Sequence, residues 1–238
     1  MRDFAVILAA AGAGRRFGGR KQFLRLLDRP VIHYSLDAFA EVRSIGQIVV
    51  VFAPEDLDQG TELVTAWRSS VPPELRLDGL ALKSVEGGAR RQDSVRRGID
   101  AVDASTRYAL VHDAARPLIR PADVERLVAA TRLHGAAVLG TPAWDSVKRV
   151  RGGEIVDEIP RDEVWTVQTP QAAEVVLLRK AYDSAAVEMT DEASALRALG
   201  VRVALVEGSR ENLKITRPGD EAAAEAFLRA RRAQGASP

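Results

Sequence analysis

The sequence predicts an α/β protein built on a mostly parallel sheet flanked by helices, with a β-arm projecting from it. Three observations carry this. The apolar runs FAVILAA (4–10), QIVVVF (47–52) and YALVH (108–112) have the character of strands buried on both faces, as in a parallel sheet. Longer segments with apolar residues at helical spacing separate them. Between 145 and 159 the alternation stops, and the polar segments DSVKRV and EIVDEI flank Gly152-Gly153, the pattern of two exposed strands and a turn.

The elements follow in order. Phe4–Ala10 is the first strand, and 30–40 (PVIHYSLDAFA) is a helix with Pro30 in its first turn. Residues 47–52 form the second strand and 55–68 a helix carrying Leu57, Leu63, Val64 and Trp67. Pro72-Pro73 marks a solvent-facing connection, and 80–85 a third strand running into Glu86-Gly87-Gly88. Residues 91–102 form a helix with Val95, Ile99 and Val102 on one stripe and Asp93 and Ser94 near its start. A fourth strand, 108–112, runs into Asp113-Ala114-Ala115-Arg116-Pro117, followed by a helix at 121–132 and a fifth strand at 136–141. After the arm, Trp165–Val167 leads into Thr169-Pro170-Gln171 and a helix at 174–186. Thr190 is a candidate cap for the next helix, 201–206 a late strand, and 220–232 the closing helix, with Ala223, Phe227 and Ala230 available for packing. No internal repeat or interdomain linker appears. The expected organisation is one domain over 1–234, the arm at about 143–162, and a flexible tail at 235–238.

Composition narrows the function. The chain has 238 residues, 46% hydrophobic and 28% charged, normal for a soluble globular protein. With 34 Lys and Arg against 33 Asp and Glu, its net charge of +1 gives no support to nucleic-acid binding. The absence of cysteine excludes disulfides and cysteine-based zinc or nucleophile chemistry, and His33, His112 and His134 are too scattered for a histidine metal site. No apolar stretch approaches the roughly 18 residues of a membrane span, and the N-terminus lacks a secretory pattern. The expectation is a cytoplasmic protein without membrane partners.

The densest signal is FAVILAAAGAGRRFGGRKQ (4–22), where an apolar strand turns abruptly into glycine and cation. Such a loop at a strand end suits a phosphate or polyphosphate. It matches neither common fingerprint. Gly12-x-Gly14 has Phe17 where the dinucleotide motif needs its third glycine. Gly14–Gly19 has the spacing of the ATP-type loop but continues Arg20-Lys21-Gln22, without the hydroxyl that holds magnesium.

Active sites of open parallel sheets gather beyond the carboxyl ends of strands, where this chain places further polar residues. Asp113 ends a buried strand and is the candidate ligand for magnesium, which prefers carboxylate, phosphate and water oxygens. Its structural alternative is capping the next turn or pairing with Arg116. Arg116 offers a planar fork for a phosphate. Arg16 and Lys21 in the first loop, and Lys214 near the late strand, can meet charge on a transferring phosphoryl group; Lys214 can equally be an exposed lysine on a strand edge. Arg161 and Thr169 flank the arm and can contact a second substrate's phosphate, or simply belong to a loop. His112 neighbours Asp113, so the two point to opposite faces, and it packs beneath the sheet. Without a covalent set, direct attack on a nucleotide's α-phosphorus is the fitting chemistry.

Read together, AAAGAGRRFGGRKQ, GGARRQDSV, VHDAARP, TPQ, TDEASAL and VEGSRENLKITRP resemble the 2-C-methyl-D-erythritol 4-phosphate cytidylyltransferase family, from Phe4 to the final helix. The resemblance implies a Rossmann-like body, CTP and methylerythritol phosphate as substrates and magnesium as cofactor. The products would be the CDP-alcohol of non-mevalonate isoprenoid synthesis and pyrophosphate. It also implies a homodimer whose arm helps complete the neighbouring site. By the same resemblance Arg16, Lys21 and Lys214 are catalytic, Asp113 binds the metal, and Ala10, Ala11, Gly12, Ala13, Gly14, Gly88, Arg91 and Ser94 bind the nucleotide. Arg116 is the phosphate-binding arginine beside Asp113, and with Arg161 and Thr169 it is assigned to the acceptor. The chain departs from the family pattern in the short Gly18-Gly19-Arg20 approach to Lys21, which leaves open a share for Arg20. It also has Ala89 where some members have an acid. Ribitol 5-phosphate as acceptor, and a nucleotide-binding module without turnover, are the competing readings.

Overall fold

The computed structural model describes residues 1–12, 14, 17–71, 77–184 and 189–235. In chain order, β1 is Phe4–Ala9, a 3-10 turn spans Lys21–Phe23, and β2 (Arg25–Leu26) and β3 (Arg29–Pro30) form a short ribbon before α1 (Val31–Ala40). Then come β4 (Ile45–Phe52), a 3-10 turn at Pro54–Asp56, α2 (Leu57–Ser70), β5 (Ala81–Glu86), α3 (Arg91–Asp100), β6 (Tyr108–Asp113), α4 (Pro121–His134) and β7 (Ala136–Pro142). The arm is β8 (Val147–Arg151) and β9 (Glu154–Ile159), followed by a 3-10 turn at Arg161–Glu163. β10 (Trp165–Glu174), α5 (Val175–Asp183), α6 (Glu192–Ala198), β11 (Ala204–Glu207) and α7 (Asp220–Ala233) complete the order.

One seven-stranded sheet runs β11-β7-β10-β6-β1-β4-β5. All its pairings are parallel except those of β10, which is antiparallel to β6 and β7. The alternation of β1 explains why it lies deep in the sheet. Phe4, Val6 and Leu8 face one core with α1, α2 and α4, while Ala5 and Ile7 face the other with α3, α5 and α6. Each fully buried large aliphatic or aromatic side chain contributes about 1.5–3 kcal/mol, so a strand apolar on both faces belongs inside. From β1 the sheet grows to β4 and β5 on one side and to β6 on the other. The crevice beyond the carboxyl ends of β1 and β6 is therefore the switch point where ligands bind in such sheets. Ala9 and Asp113, the last residues of those strands, are register partners.

Several expectations needed correction. Trp165–Glu174 is one strand rather than a short lead into a connection, and it lies antiparallel inside the sheet. Its pairing with β7 breaks between Val167 and Gln171, the place where Pro170 cannot donate to a ladder. The late strand is confined to Ala204–Glu207, so Lys214 lies on an irregular segment, not a strand edge. The cap of α6 is Asp191, whose Oδ1 accepts from the Ser194 amide at 2.9 Å, while Thr190 donates to the Ser194 hydroxyl. On α7 the buried stripe is Ala224, Leu228 and Arg231; Ala223, Phe227 and Ala230 are exposed. Pro72-Pro73, the end of the helix expected to reach 186, and 236–238 of the tail lie outside the described residues.

The arm forms as expected, turning through Gly152 (φ +58°) and Gly153 (φ +87°), with Val150, Ile155 and Val156 exposed. Among the described residues no helix is long and apolar enough to cross a membrane.

Candidate active site

A cavity of about 520 Å³ opens at the β1/β6 crevice. Its wall is formed by Ala9–Gly12 and Gly14 after β1, Lys21 and Gln22, Gly88–Arg91 and Ser94 at the start of α3, Asp113–Ala115 after β6, and Lys214. Parallel strands ending together present successive loops to one space, and α3 aims its N-terminus, with its unsatisfied amides, at the same space.

The first loop is shaped by close backbone approach. Gly14 has φ +63°, its carbonyl accepts from the amides of Phe17 and Gly18, and a Cβ there would stand 1.8 Å from the Gly19 carbonyl oxygen. Gly88 is similarly constrained, since a Cβ would stand 2.4 Å from that of Asp93. The buried Ser94 hydroxyl accepts from the Gly88 amide at 3.0 Å, tying this loop to α3.

The roles of Arg20 and Lys21 separate clearly. Arg20 turns away from the cavity to Glu55, at 3.2 Å, and to the buried Asp56. Gln22, also buried, donates to Asp56 Oδ2 at 3.1 Å. With both neighbours drawn to Asp56, Lys21 projects to the opposite side, lines the cavity and donates to the Ile215 carbonyl at 2.8 Å.

Asp113 is the electrostatic centre. It is 8% exposed; its Oδ2 accepts from Lys214 Nζ at 2.5 Å and its Oδ1 from Arg91 Nε at 3.3 Å. Burial pushes its carboxyl up, but Arg91 and Lys214 outweigh that and hold it well below the usual carboxylate range. Arg91 is shared with the buried Glu192, and its guanidinium is held above its ordinary value by the two acids despite desolvation.

Behind Asp113 the hydrogen-bond directions can be deduced. The Arg116 carbonyl can only accept, so His112 Nε2 carries the proton and donates to it at 3.1 Å. His112 Nδ1 therefore accepts from the Thr169 hydroxyl at 3.2 Å, and that hydroxyl accepts from the Asp113 amide at 3.1 Å. Burial pushes the His112 imidazole down to about 4, which keeps it neutral. His112 packs edge-on against Phe39, as expected of a residue beneath the sheet. Thr169 thus spends its only proton on His112, lies outside the cavity wall and orients Asp113 from behind.

Arg116 also lies outside the wall, donating to the Asn212 carbonyl at 2.7 Å. The fully buried Asn212 donates to the Thr169 carbonyl at 2.9 Å, and the Ile215 amide to the Ala115 carbonyl at 2.9 Å. These bonds pin 212–215 across the crevice and bring Lys214 to Asp113. Arg161 is exposed at the arm base, 3.3 Å from the Trp144 carbonyl, and does not reach this chain's cavity. Ala13 and Arg16 lie outside the described residues.

Of the residues expected in the site, Ala10, Ala11, Gly12, Gly14, Lys21, Gly88, Arg91, Ser94, Asp113 and Lys214 line the cavity together. Sequence reading missed Asp56, Asn212 and Glu192, whose buried carboxylates and amide hold the lining residues in place. The TDEASAL motif was the available signal for Glu192. Among the described residues no three His, Asp or Glu side chains converge as a metal cage. A lone carboxylate at the wall of a cation-lined cavity fits a magnesium ion that takes its other ligands from substrate phosphates and water.

The profile of the family described as "IspD: 2-C-methyl-D-erythritol 4-phosphate cytidylyltransferase" matches residues 4–230. The 2-C-methyl-D-erythritol 4-phosphate cytidylyltransferase of Syntrophotalea carbinolica is 42% identical, over 94% of this chain and 95% of its own. The bifunctional enzyme IspD/IspF of Solidesulfovibrio magneticus is 41% identical over 90% of this chain, which spans 54% of that longer protein. Among solved structures, 4-diphosphocytidyl-2C-methyl-D-erythritol synthase of Anaerococcus prevotii superposes with a TM-score of 0.81 at 27% identity, covering 95% of this chain and 96% of its own. The Thermus thermophilus 2-C-methyl-D-erythritol 4-phosphate cytidylyltransferase gives 0.73 at 34% identity, covering 96% and 100%.

Proposed function

This chain belongs to the 2-C-methyl-D-erythritol 4-phosphate cytidylyltransferase family, and we propose that its cavity joins CTP and 2-C-methyl-D-erythritol 4-phosphate. The products are 4-(cytidine 5'-diphospho)-2-C-methyl-D-erythritol and pyrophosphate. The observation that carries this reading is the convergence of Lys21, Lys214, Asp113 and the N-terminus of α3 on one space at the switch point.

A phosphate oxygen of the acceptor attacks the α-phosphorus of CTP, the new P–O bond forms, and the bond to the β-phosphate oxygen breaks. The nucleophile is already ionised near neutral pH, since a phosphate monoester loses its second proton near pH 6. No general base is needed, and the neutral His112, locked between Thr169 and Arg116, is not asked to supply one. The backbone of Ala10–Gly12 and Gly14 surrounds the nucleotide, and Gly88 and Ser94 hold its cytidine half. Lys21 and Lys214 meet the charge that builds on the α-phosphoryl and pyrophosphate oxygens, in a site where such charges act through a lower dielectric than water. Lys214 pairs with Asp113, and a turn of its ammonium to the nucleotide would free one carboxylate oxygen. Asp113 is the residue that would hold magnesium, which when bound draws negative charge from the phosphates.

The acceptor's phosphate is read by Arg116 and Arg161 across a homodimer, the arm of one subunit reaching its neighbour, while Thr169 acts from behind by orienting Asp113. The exposed Arg161 and the apolar Val150, Ile155 and Val156 on the arm support this reading. Incubating the chain with CTP, methylerythritol phosphate and magnesium is expected to release pyrophosphate. A folded chain that releases none would refute the proposal.

A further inference from the structure

The TDEASAL segment has no assigned part in the reaction, yet it delivers the most completely buried acid near the cavity. Glu192 is 0% exposed. Its carboxylate accepts from Arg91 Nη1 at 2.8 Å, from Arg91 Nη2 at 3.3 Å and from the Tyr182 hydroxyl at 2.8 Å. A buried carboxylate is costly unless paired and hydrogen-bonded, and here both conditions are met. The segment is anchored by three further hydrogen bonds, from β10 and α3. Gln171 of β10 donates to Asp191 and accepts from the Ala193 amide, and Gln92 of α3 accepts from the Met189 amide.

Arg91 consequently serves two acids unequally. Its shorter contact, 2.8 Å, goes to Glu192, and its reach to Asp113 Oδ1 is 3.3 Å. The two oxygens of Asp113 are held separately, Oδ1 by Arg91 and Oδ2 by Lys214. Glu192 takes the Nη1/Nη2 edge of the guanidinium, while Nε and Nη2 both stand 3.3 Å from the single oxygen Asp113 Oδ1. With Glu192, Arg91 stays in place when Lys214 leaves for the substrate.

We propose that Glu192 is a positioning residue: it holds Arg91 by one edge, so that Asp113 keeps its orientation while one of its oxygens is released for the reaction. This rests on the transferase reading of the cavity, and it makes Arg91 a holder of Asp113 in addition to a nucleotide contact.

A double-mutant cycle of Glu192→Gln and Arg91→Ala tests it with two readouts. In the parent background Glu192→Gln is expected to lower kcat/KM by about 10-fold, mainly through kcat, the low end of the range for direct partners of a metal ligand, because Glu192 acts on Asp113 only through Arg91. In the Arg91→Ala background the same change is expected to cost less than about threefold, because the interaction is already gone. Melting temperatures without nucleotide or metal are expected to fall for each single variant and to recover in the double, where no unpaired buried charge remains. Equal fold-losses in both backgrounds, or additive melting shifts, would overturn the proposal. Arg91→Lys keeps the charge but cannot fork to two carboxylates. It is expected to lose kcat comparably, and a parental rate in that variant would overturn the proposal even if Glu192→Gln fails to fold. Because the melting cycle needs no turnover, a parent chain that folds but releases no pyrophosphate would count against the transferase reading alone.

Discussion

Replacing Lys21 and Arg20 in turn by alanine should separate catalysis from scaffolding at adjacent positions. Lys21 lines the cavity and its ammonium lies 2.8 Å from the Ile215 carbonyl, next to the residue that meets Asp113. Removing one donor that acts on transition-state charge costs about 2.7–4 kcal/mol, or roughly 10²–10³ in kcat. Little stability is at stake, since the side chain is half-buried and water can replace it. Arg20 is 42% exposed at its side chain and touches Glu55 and Asp56, away from the cavity. An exposed pair such as Arg20–Glu55 is worth about 0–1 kcal/mol. The Asp56 partner is 2% exposed, so losing its cation adds a penalty of about 1–3 kcal/mol for a poorly satisfied buried acceptor. Lys21→Ala should therefore lower kcat by two to three orders of magnitude with a nearly parental melting temperature, while Arg20→Ala should lower the melting temperature and change kcat by less than about tenfold. Steady-state pyrophosphate release, with CTP and acceptor varied separately, and thermal melts of the same preparations provide the comparison. Equal kcat losses at the two positions would refute the division of roles drawn from Asp56.

Asp113→Asn keeps the shape of the side chain but removes the charge that a magnesium ion and Lys214 both require. Turnover should fall by about 100-fold or more and its residual magnesium dependence should flatten; an unchanged magnesium titration would exclude metal ligation by Asp113. If the arm completes the neighbouring site, inactive Lys21→Ala and Arg161→Ala chains should regain part of the parental activity when mixed. No recovery in a verified heterodimer would show that the sites are independent. Burial holds the His33 imidazole below its ordinary value of 6.5, opposed by a hydrogen bond to the Leu63 carbonyl. The unfolded chain takes up this proton first as pH falls below about 6.5, so the stability from neutral His33 is complete above that pH and declines below it, by at most about 1.4 kcal/mol per pH unit. Denaturant titrations at several pH values should show a shallower decline in His33→Gln, and identical slopes would dismiss His33 as a contributor.

What the sequence by itself determined is what local chemistry dictates. Apolar runs such as Phe4–Ala9 must be buried on both faces, and Gly152-Gly153 must turn the arm. Asp113 must stand at the end of a buried strand, and Gly12 and Gly14 must carry the backbone sharply away from β1 beside it. Each depends on residues within a few positions of one another, where periodicity and backbone preference act directly. The tertiary structure alone decided the rest. β10 enters the sheet antiparallel because the space between β6 and β7 remains to be filled, which no local pattern in WTVQTPQAAE announces. The buried stripe of α7 falls on Ala224 and Leu228 instead of Ala223 and Phe227, since the surface it meets, Leu26, Tyr34 and Leu118, comes from distant segments. Lys214 reaches Asp113 only because Arg116, Asn212 and Ala115 pin its segment across the crevice. Arg20 and Lys21 are alike as cations in the chain; a buried carboxylate at Asp56, 35 residues or so away in sequence, turns one outward and leaves the other to line the cavity. Charge type is written locally, but the environment that assigns it a role is assembled from afar.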